Sequence, residues 1–270
     1  MKEVSHNIGK KGQVTMFVII ALVIVVAGIL IYFFVPGIKT TSIQSQEDPV
    51  AYFQNCVQGN LSSNVQTVSM QGGSMNPSSS IMYLGNRVAY LCYNSQPYAA
   101  SATQMCMPQV AFLTSHIEQE LKKSMTSTVE NCFSEMQQDY TSKGYNVNLQ
   151  LGNFSVNLLP NRILLHSNTQ LTLTKGSQKY YNSFDAVLNN NLYELAGVAS
   201  TIVGWEQAYG DADPAYFMTY YPDLVITKNI QSDWTKVWVI KEANTGNEFE
   251  FAVRSINWPL GIPTPSNQSS

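Results

Sequence analysis

Cys56, Cys92, Cys106 and Cys132 are the side chains best able to do covalent chemistry in this chain. None lies in a C-x-x-C pair, and none has a histidine at zinc-finger spacing. An even number of widely spaced cysteines predicts disulfides wherever the compartment is oxidising. Such a set allows about three connectivities. The expected pairs are Cys56–Cys132, which would join two predicted helices, and Cys92–Cys106, which would close a local loop around Pro97.

Other chemistry is sparse. His6 lies near the N-terminus, His166 lies on an alternating strand pattern, and His116 precedes Glu120 by four positions on a predicted helix. A zinc-peptidase helix needs a second histidine at that spacing, and Glu120 stands in its place. Asp211 and Asp213 follow Glu206 in a loop bearing Gly210 and Pro214. They could face a calcium ion, but EF-hand spacing and its closing glutamate are missing, which favours a plain helix-terminating turn. No G-x-S-x-G elbow, P-loop or G-x-G-x-x-G occurs, and no histidine is placed to activate one of the many serines. The expectation is a protein that is not an enzyme and takes no metal or other cofactor.

Three Asn-x-Ser sequons, at Asn60, Asn153 and Asn267, are candidate glycan acceptors; Asn76-Pro77-Ser78 is excluded by its proline. Charged residues make up 12% of the chain, about half the usual ~25%, and the net charge of −3 argues against nucleic acid as a partner. The polar surface that remains is rich in Asn, Gln, Ser, Thr and Tyr, as in extracellular and filament-forming proteins.

The segment that would position everything else is the N-terminal one. Lys10-Lys11-Gly12-Gln13 leads into an apolar run from Val14 to Pro36, with no charged residue between Lys11 and Lys39. At ~1.5 Å per residue this run spans a hydrocarbon core of ~30 Å, and it is too long for an ordinary secretory signal. Lys2, Lys10 and Lys11 before the run keep the N-terminus in the cytoplasm and send the rest outside, with Tyr32, Phe33 and Phe34 at the outer interface. The run contains no ionisable side chain, which argues against an ion pathway.

A short basic leader, a glycine, a polar residue and an unbroken hydrophobic helix together resemble the class III (prepilin-type) signal of archaeal type IV pilins. The resemblance covers about Lys10 to Phe34. It implies that a prepilin-type membrane peptidase cuts between Gly12 and Gln13. The helix would then stay on the mature chain and self-associate at a filament axis. Bacterial relatives carry a glutamate five residues into the mature chain; here that position is Phe17, as is common in archaeal pilins. The overall plan is also similar to uncharacterised membrane-anchored archaeal proteins.

Beyond the anchor, Asp48-Pro49 reads as a helix N-cap and first residue, followed by Val50, Phe53, Val57, Leu61, Val65 and Val68 at helical spacing until Gly72-Gly73. Gly85-Asn86 predicts a hairpin turn between Ser80–Leu84 and Arg87–Tyr93. A second long helix is expected to open at Pro108 and run to Gly144, with Val110, Leu113, Ile117, Leu121, Met125, Val129, Phe133 and Met136 as its stripe. Alternating segments at 145–151, 154–158, 162–166 and 170–174 predict an antiparallel meander. Helical spacing returns over Phe184 to Ala208; a Tyr-rich stretch and three strands, at 224–230, 234–240 and 248–256, complete the pattern.

The expected fold class is α+β: a long hydrophobic N-terminal helix, then an extracellular head of helices packed on an antiparallel sheet. The boundaries are a basic leader over 1–12, the transmembrane or filament-core helix over 13–36, a linker over 37–48, the head over 49–258 and a disordered tail over 259–270. The head, at roughly 220 residues, can bury a core unaided. Functionally the pattern implies a surface filament subunit, whose partners are the lipid bilayer, the processing peptidase and copies of itself. The alternative is a single-pass tethered ectodomain that binds a ligand and never polymerises. The aromatic residues gathered after Tyr180 would serve either as strand-face core or as an adhesive or subunit-contact surface.

Overall fold

The computed structural model describes residues 22–23, 48–96 and 105–255. The Gly12–Gln13 junction, most of the anchor, the linker up to Glu47, the loop around Pro97, Asn267 and the tail lie outside the described residues. Among those described, no helix is long and apolar enough to cross a membrane. The chain divides after Asp48 into two compact units, and the second of them is the head.

The head is α+β. Its described helices are α1 (Pro49–Met70), α2 (Leu113–Ser142), α3 (Leu192–Tyr209) and α4 (Pro214–Tyr220). The stripe of α1 is buried as expected at Phe53, Val57, Leu61, Val65 and Val68, and that of α2 at Ile117, Leu121, Met125, Val129, Phe133 and Met136. Each such side chain contributes about 1.5–3 kcal/mol of burial. The two stripes face each other, and Phe53, Phe133 and Phe184 meet with ring centroids 4.8, 5.1 and 5.8 Å apart. One turn along from Phe53, Cys56 is bonded to Cys132, and elsewhere Cys92 is bonded to Cys106, the pairing expected from the sequence. Closing the longer loop, with its sequence separation of 76, stabilises the fold by roughly 4 kcal/mol in the chain-entropy account.

The largest sheet is mixed rather than purely antiparallel. Its path runs β1 (Ser80–Tyr83), β2 (Asn86–Tyr93), β12 (Glu248–Arg254), β11 (Lys236–Glu242), β10 (Leu224–Ile230), with the short β3 (Met107–Pro108) also paired to β2. The parallel contact is β12 on β2, where Ala252 faces Tyr90. The hairpin turn is Leu84-Gly85, one residue earlier than expected, with φ of 46° and 90°. Both central residues of this tight turn need positive φ, and glycine meets that demand freely.

The meander is bent into two three-stranded sheets. β4 (Asn146–Gln150) pairs β7 (Gln170–Lys175), and β7 pairs β8 (Ser177–Tyr181). β5 (Phe154–Leu159) pairs β6 (Arg162–Ser167), and β6 pairs β9 (Phe184–Asn189). The bend falls where two chain segments cross: Asn168 N–H donates to Asn153 O at 3.0 Å and Gly152 N–H to Thr169 Oγ1 at 3.1 Å. A Cβ on Gly152 would sit 2.4 Å from Asn168 O, so the corner requires glycine there.

Three further expectations are corrected. The second long helix opens at Leu113, not Pro108, because Met107–Pro108 pairs with Cys92 and Tyr93 beside the disulfide. The helix expected over Phe184 to Ala208 is strand β9 followed by α3; Phe184 and Ala186 alternate inward against β6, and Asn190 Oδ1 accepts from Leu192 N–H where the helix begins. The second strand of the final group starts at Lys236, since Trp234 turns the chain with φ of 67°.

Candidate functional site

Aromatic side chains concentrate where α3 passes into α4. The helix α3 ends at Gly210, whose left-handed backbone (φ of 77°) lets its N–H reach Glu206 O at 2.9 Å. Three residues later Asp213 caps α4 by accepting from Ala215 N–H at 2.9 Å, with Pro214 at the first helical position. This short reversal lays Tyr209, Trp205, Tyr216 and Tyr220 in a row. Successive ring centroids are 5.1, 4.8 and 5.0 Å apart.

Phe217 is buried beneath the row and meets Trp205 edge-on, anchoring α4 to the core. Trp205 is half-buried against the core, and the three tyrosines remain open to solvent: Tyr209 is 58% exposed and Tyr220 65%. A hydrogen bond with Tyr220 raises the Tyr216 phenol above its ordinary value. An exposed row of rings offers large contact area at little conformational cost, the composition of binding-surface hot spots.

A buried charge cluster fixes the row from below. Glu206 is fully buried, four positions after Ile202 on the inward stripe of α3. Lys236 Nζ on β11 donates to Glu206 Oε2 at 2.6 Å, to Gly210 O at 2.7 Å and to Asp211 Oδ1 at 2.9 Å. Ser255 Oγ donates to Glu206 Oε2 as well, and Lys228 Nζ donates to Asp211 Oδ1 at 2.9 Å. Burial raises the Glu206 carboxyl, and Lys236 and Ser255 draw it only part of the way back. Half-burial alone would raise Asp211 too, but hydrogen bonds and charge from Lys236 and Lys228 prevail and hold it below the carboxylate range.

Ser255 and Lys236 lie 3.4 Å apart, the residue types of a serine nucleophile and its lysine base. Ser255 is 1% exposed, and Lys236 Nζ is committed to three oxygen acceptors. This pairing ties α3 to β11 and to the end of β12.

The acidic loop after Glu206 therefore holds lysines, and Asp213 acts as a cap. His116 and Glu120 also act structurally: His116 Nε2 lies 2.9 Å from Ser74 Oγ, and Glu120 Oε2 accepts from Met75 N–H at 2.8 Å. Together they fasten the turn after α1 onto α2. His166 stands in a cross-strand row with Ser155 and Asp185. Its Nδ1 meets Asp185 Oδ1 at 2.5 Å and its Nε2 meets Asn168 Oδ1 at 3.0 Å. Both ring nitrogens thus face acceptors, which favours the imidazolium and leaves no free base for Ser155. Among the described residues no cluster of three or more His, Cys, Asp or Glu side chains could hold a metal.

A concavity of about 280 Å³ lies between α1 and the β11–β12 turn. Its polar lining includes Ser62, Gln66, Asn189, Asn190 and Asn247. The sequons at Asn60 on α1 and Asn153 at the sheet corner are both exposed.

Of the aromatic residues singled out in the sequence, the structure gathers Tyr209, Tyr216 and Tyr220. Trp238 is core, and Tyr180 lies exposed on β8. Trp258 lies outside the described residues. The sequence pattern missed the Glu206–Lys236 pair. A carboxylate in register with Ile202 was the available signal, because a buried charge requires a partner.

Comparison with protein-family models, curated proteins and solved structures finds no match for this chain.

Proposed function

We propose that this chain is a pilin-like subunit of a surface filament, cleaved between Gly12 and Gln13 and assembled through its hydrophobic N-terminal helix. The observation that carries the reading is Lys10-Lys11-Gly12-Gln13 followed by an uncharged run up to Lys39. Two disulfides in the head support an oxidising, extracellular setting. In this reading the head faces the medium, no cofactor takes part, and the row formed by Trp205, Tyr209, Tyr216 and Tyr220 supplies a contact for neighbouring subunits or for an external surface. The partners are the bilayer before assembly, a prepilin-type peptidase, and further copies of the chain.

The alternative, a tethered ectodomain that binds a small polar ligand, is favoured by the amide-lined concavity beside Asn189 and Asn247. Mass spectrometry of the mature N-terminus separates the two. The filament reading expects a chain beginning at Gln13, enriched in sheared surface material. A chain that keeps Lys10-Lys11 and stays in the membrane fraction sinks it and leaves the tethered ectodomain.

A further inference from the structure

Glu250 occupies the face of the large sheet opposite α1 and α3. It is 3% exposed, and its Oε2 is buried without a hydrogen-bond partner. The neighbouring cluster on this face is apolar, formed by Val88, Tyr90, Val237 and Ala252, with Ile81 and Tyr83 packed against it. The charged and polar groups around it offer little compensation. On its own strand β12, Glu248 adds a like charge, and from β2 Asn86 hydrogen-bonds the carboxylate. On β11 the residue across from Glu250 is Val239, while Lys241 turns to Glu248 at 3.9 Å. Farther along β12, Arg254 is committed to Asn94 O, Gln96 O and Asp233 O. The strand β1, Ser-Ile-Met-Tyr, brings no charge.

We propose that Glu250 is a proton-controlled latch that holds the β1–β2 hairpin on the central strand β12. With its proton, the side chain is a neutral acid in apolar surroundings. Without it, an incompletely solvated charge lies beside Glu248, and the hairpin loosens from β12 to let water reach the carboxylate. Asn86 begins β2 directly after the turn, so its bond to Glu250 couples the carboxyl to the hairpin tip. Loosening would uncover Val88 and Ala252, against which Ile81 and Tyr83 of the hairpin now pack.

Burial, reinforced by Glu248, pushes the Glu250 carboxyl up to about 7 from an ordinary 4.5. The folded value is the higher one, so the latch is fully closed below the ordinary value. It weakens as pH rises through about 7 and changes no further above that. The ratio of open to closed hairpin rises by at most a few hundred-fold across this range. The inference is independent of whether the chain forms filaments.

Hydrogen exchange of the full-length chain, corrected for intrinsic rates, tests it in the hairpin peptides at about pH 5 and about pH 8.5. The expected result is stronger protection of 80–93 at the lower pH, with β10–β11 unchanged. In Glu250→Gln the low-pH protection should persist at both values. Equal protection of wild-type 80–93 at the two pH values overturns the proposal. So does an undiminished pH response in Glu250→Gln. Should that variant fail to fold, NMR titration of the wild-type Glu250 carboxyl decides: a midpoint near neutrality supports the latch, and one in the ordinary glutamate range overturns it.

Discussion

The side-chain amide of Gln54 takes the place of a neighbouring strand for Val187. Its Nε2 donates to Val187 O at 3.1 Å, and its Oε1 accepts from Val187 N–H at 2.8 Å. On its other side β9 is paired with β6, so these two groups belong to a sheet edge that α1 seals. An unsealed edge is a template for association with other chains.

Gln54→Ala should therefore cost about 1–2 kcal/mol, the typical loss for two partly exposed amide bonds. It should also raise the tendency of the head to self-associate. Urea unfolding gives the first quantity and light scattering the second. A variant with an unchanged midpoint and no extra scattering would show that α1 packing alone guards the edge.

The buried pair of Lys236 and Glu206 predicts an asymmetric response. Removing only the lysine, as in Lys236→Met, strands Glu206 in the core and should cost about 3–5 kcal/mol. Replacing both, as Lys236→Met with Glu206→Leu, should recover most of that loss, because two apolar side chains need no partners. A double-mutant cycle by chemical denaturation reads the coupling. Additive losses would mean that Glu206 finds other compensation, with Ala212 N–H and Ser255 as the neighbours already in contact.

His166 sets the sign of a second pH dependence. Its hydrogen bond to Asp185 raises its pKa, so the imidazolium is favoured in the fold. The stabilisation is complete below the unfolded histidine value and is lost as pH rises through the folded one. Both side chains are more than a third exposed, at 37% and 52%, and solvent screening keeps the effect well under about 1 kcal/mol. NMR titration of the ring in wild type and in Asp185→Asn measures it. The wild-type midpoint should lie above that of the variant, and coincident midpoints would refute the assignment.

Legibility in the sequence followed local periodicity and failed where distant contacts decided. The stripes of α1 and α2 were readable because Phe53 to Val68 and Ile117 to Met136 each face one continuous core. The segment from Phe184 was not, because a short apolar run fits a strand or a helix equally, and its pairing with β6 settles the matter. β8 left no signal at all, since its residues are almost entirely exposed and carry no alternation of burial. α4 repeats at Asp213-Pro214 the dipeptide Asp48-Pro49 that opens α1, but its seven residues are too few for a stripe. Trp205 and Glu206 are adjacent in sequence and part company, one half-buried in the aromatic row and one fully buried beside Lys236, which only the packing of α3 against β11 and α4 separates.

That separation allows the surface row to be altered without touching its support. Tyr209→Ser combined with Tyr220→Ser removes the two outer rings, while the Trp205–Phe217 contact and the Glu206–Lys236 pair are kept. Both tyrosines are mostly exposed, so stability should change by no more than about 0.5 kcal/mol each. Interface aromatics of this kind carry about 2 kcal/mol or more each when they anchor a contact. The double variant should then be made and folded normally yet be depleted from sheared surface material, or fail to adhere where wild type does. Quantifying the chain in whole-cell and sheared fractions, beside a thermal melt, separates assembly from folding. If its surface yield and adhesion match wild type, the row is not the contact surface, and the polar concavity at Asn189 and Asn247 becomes the better place to look.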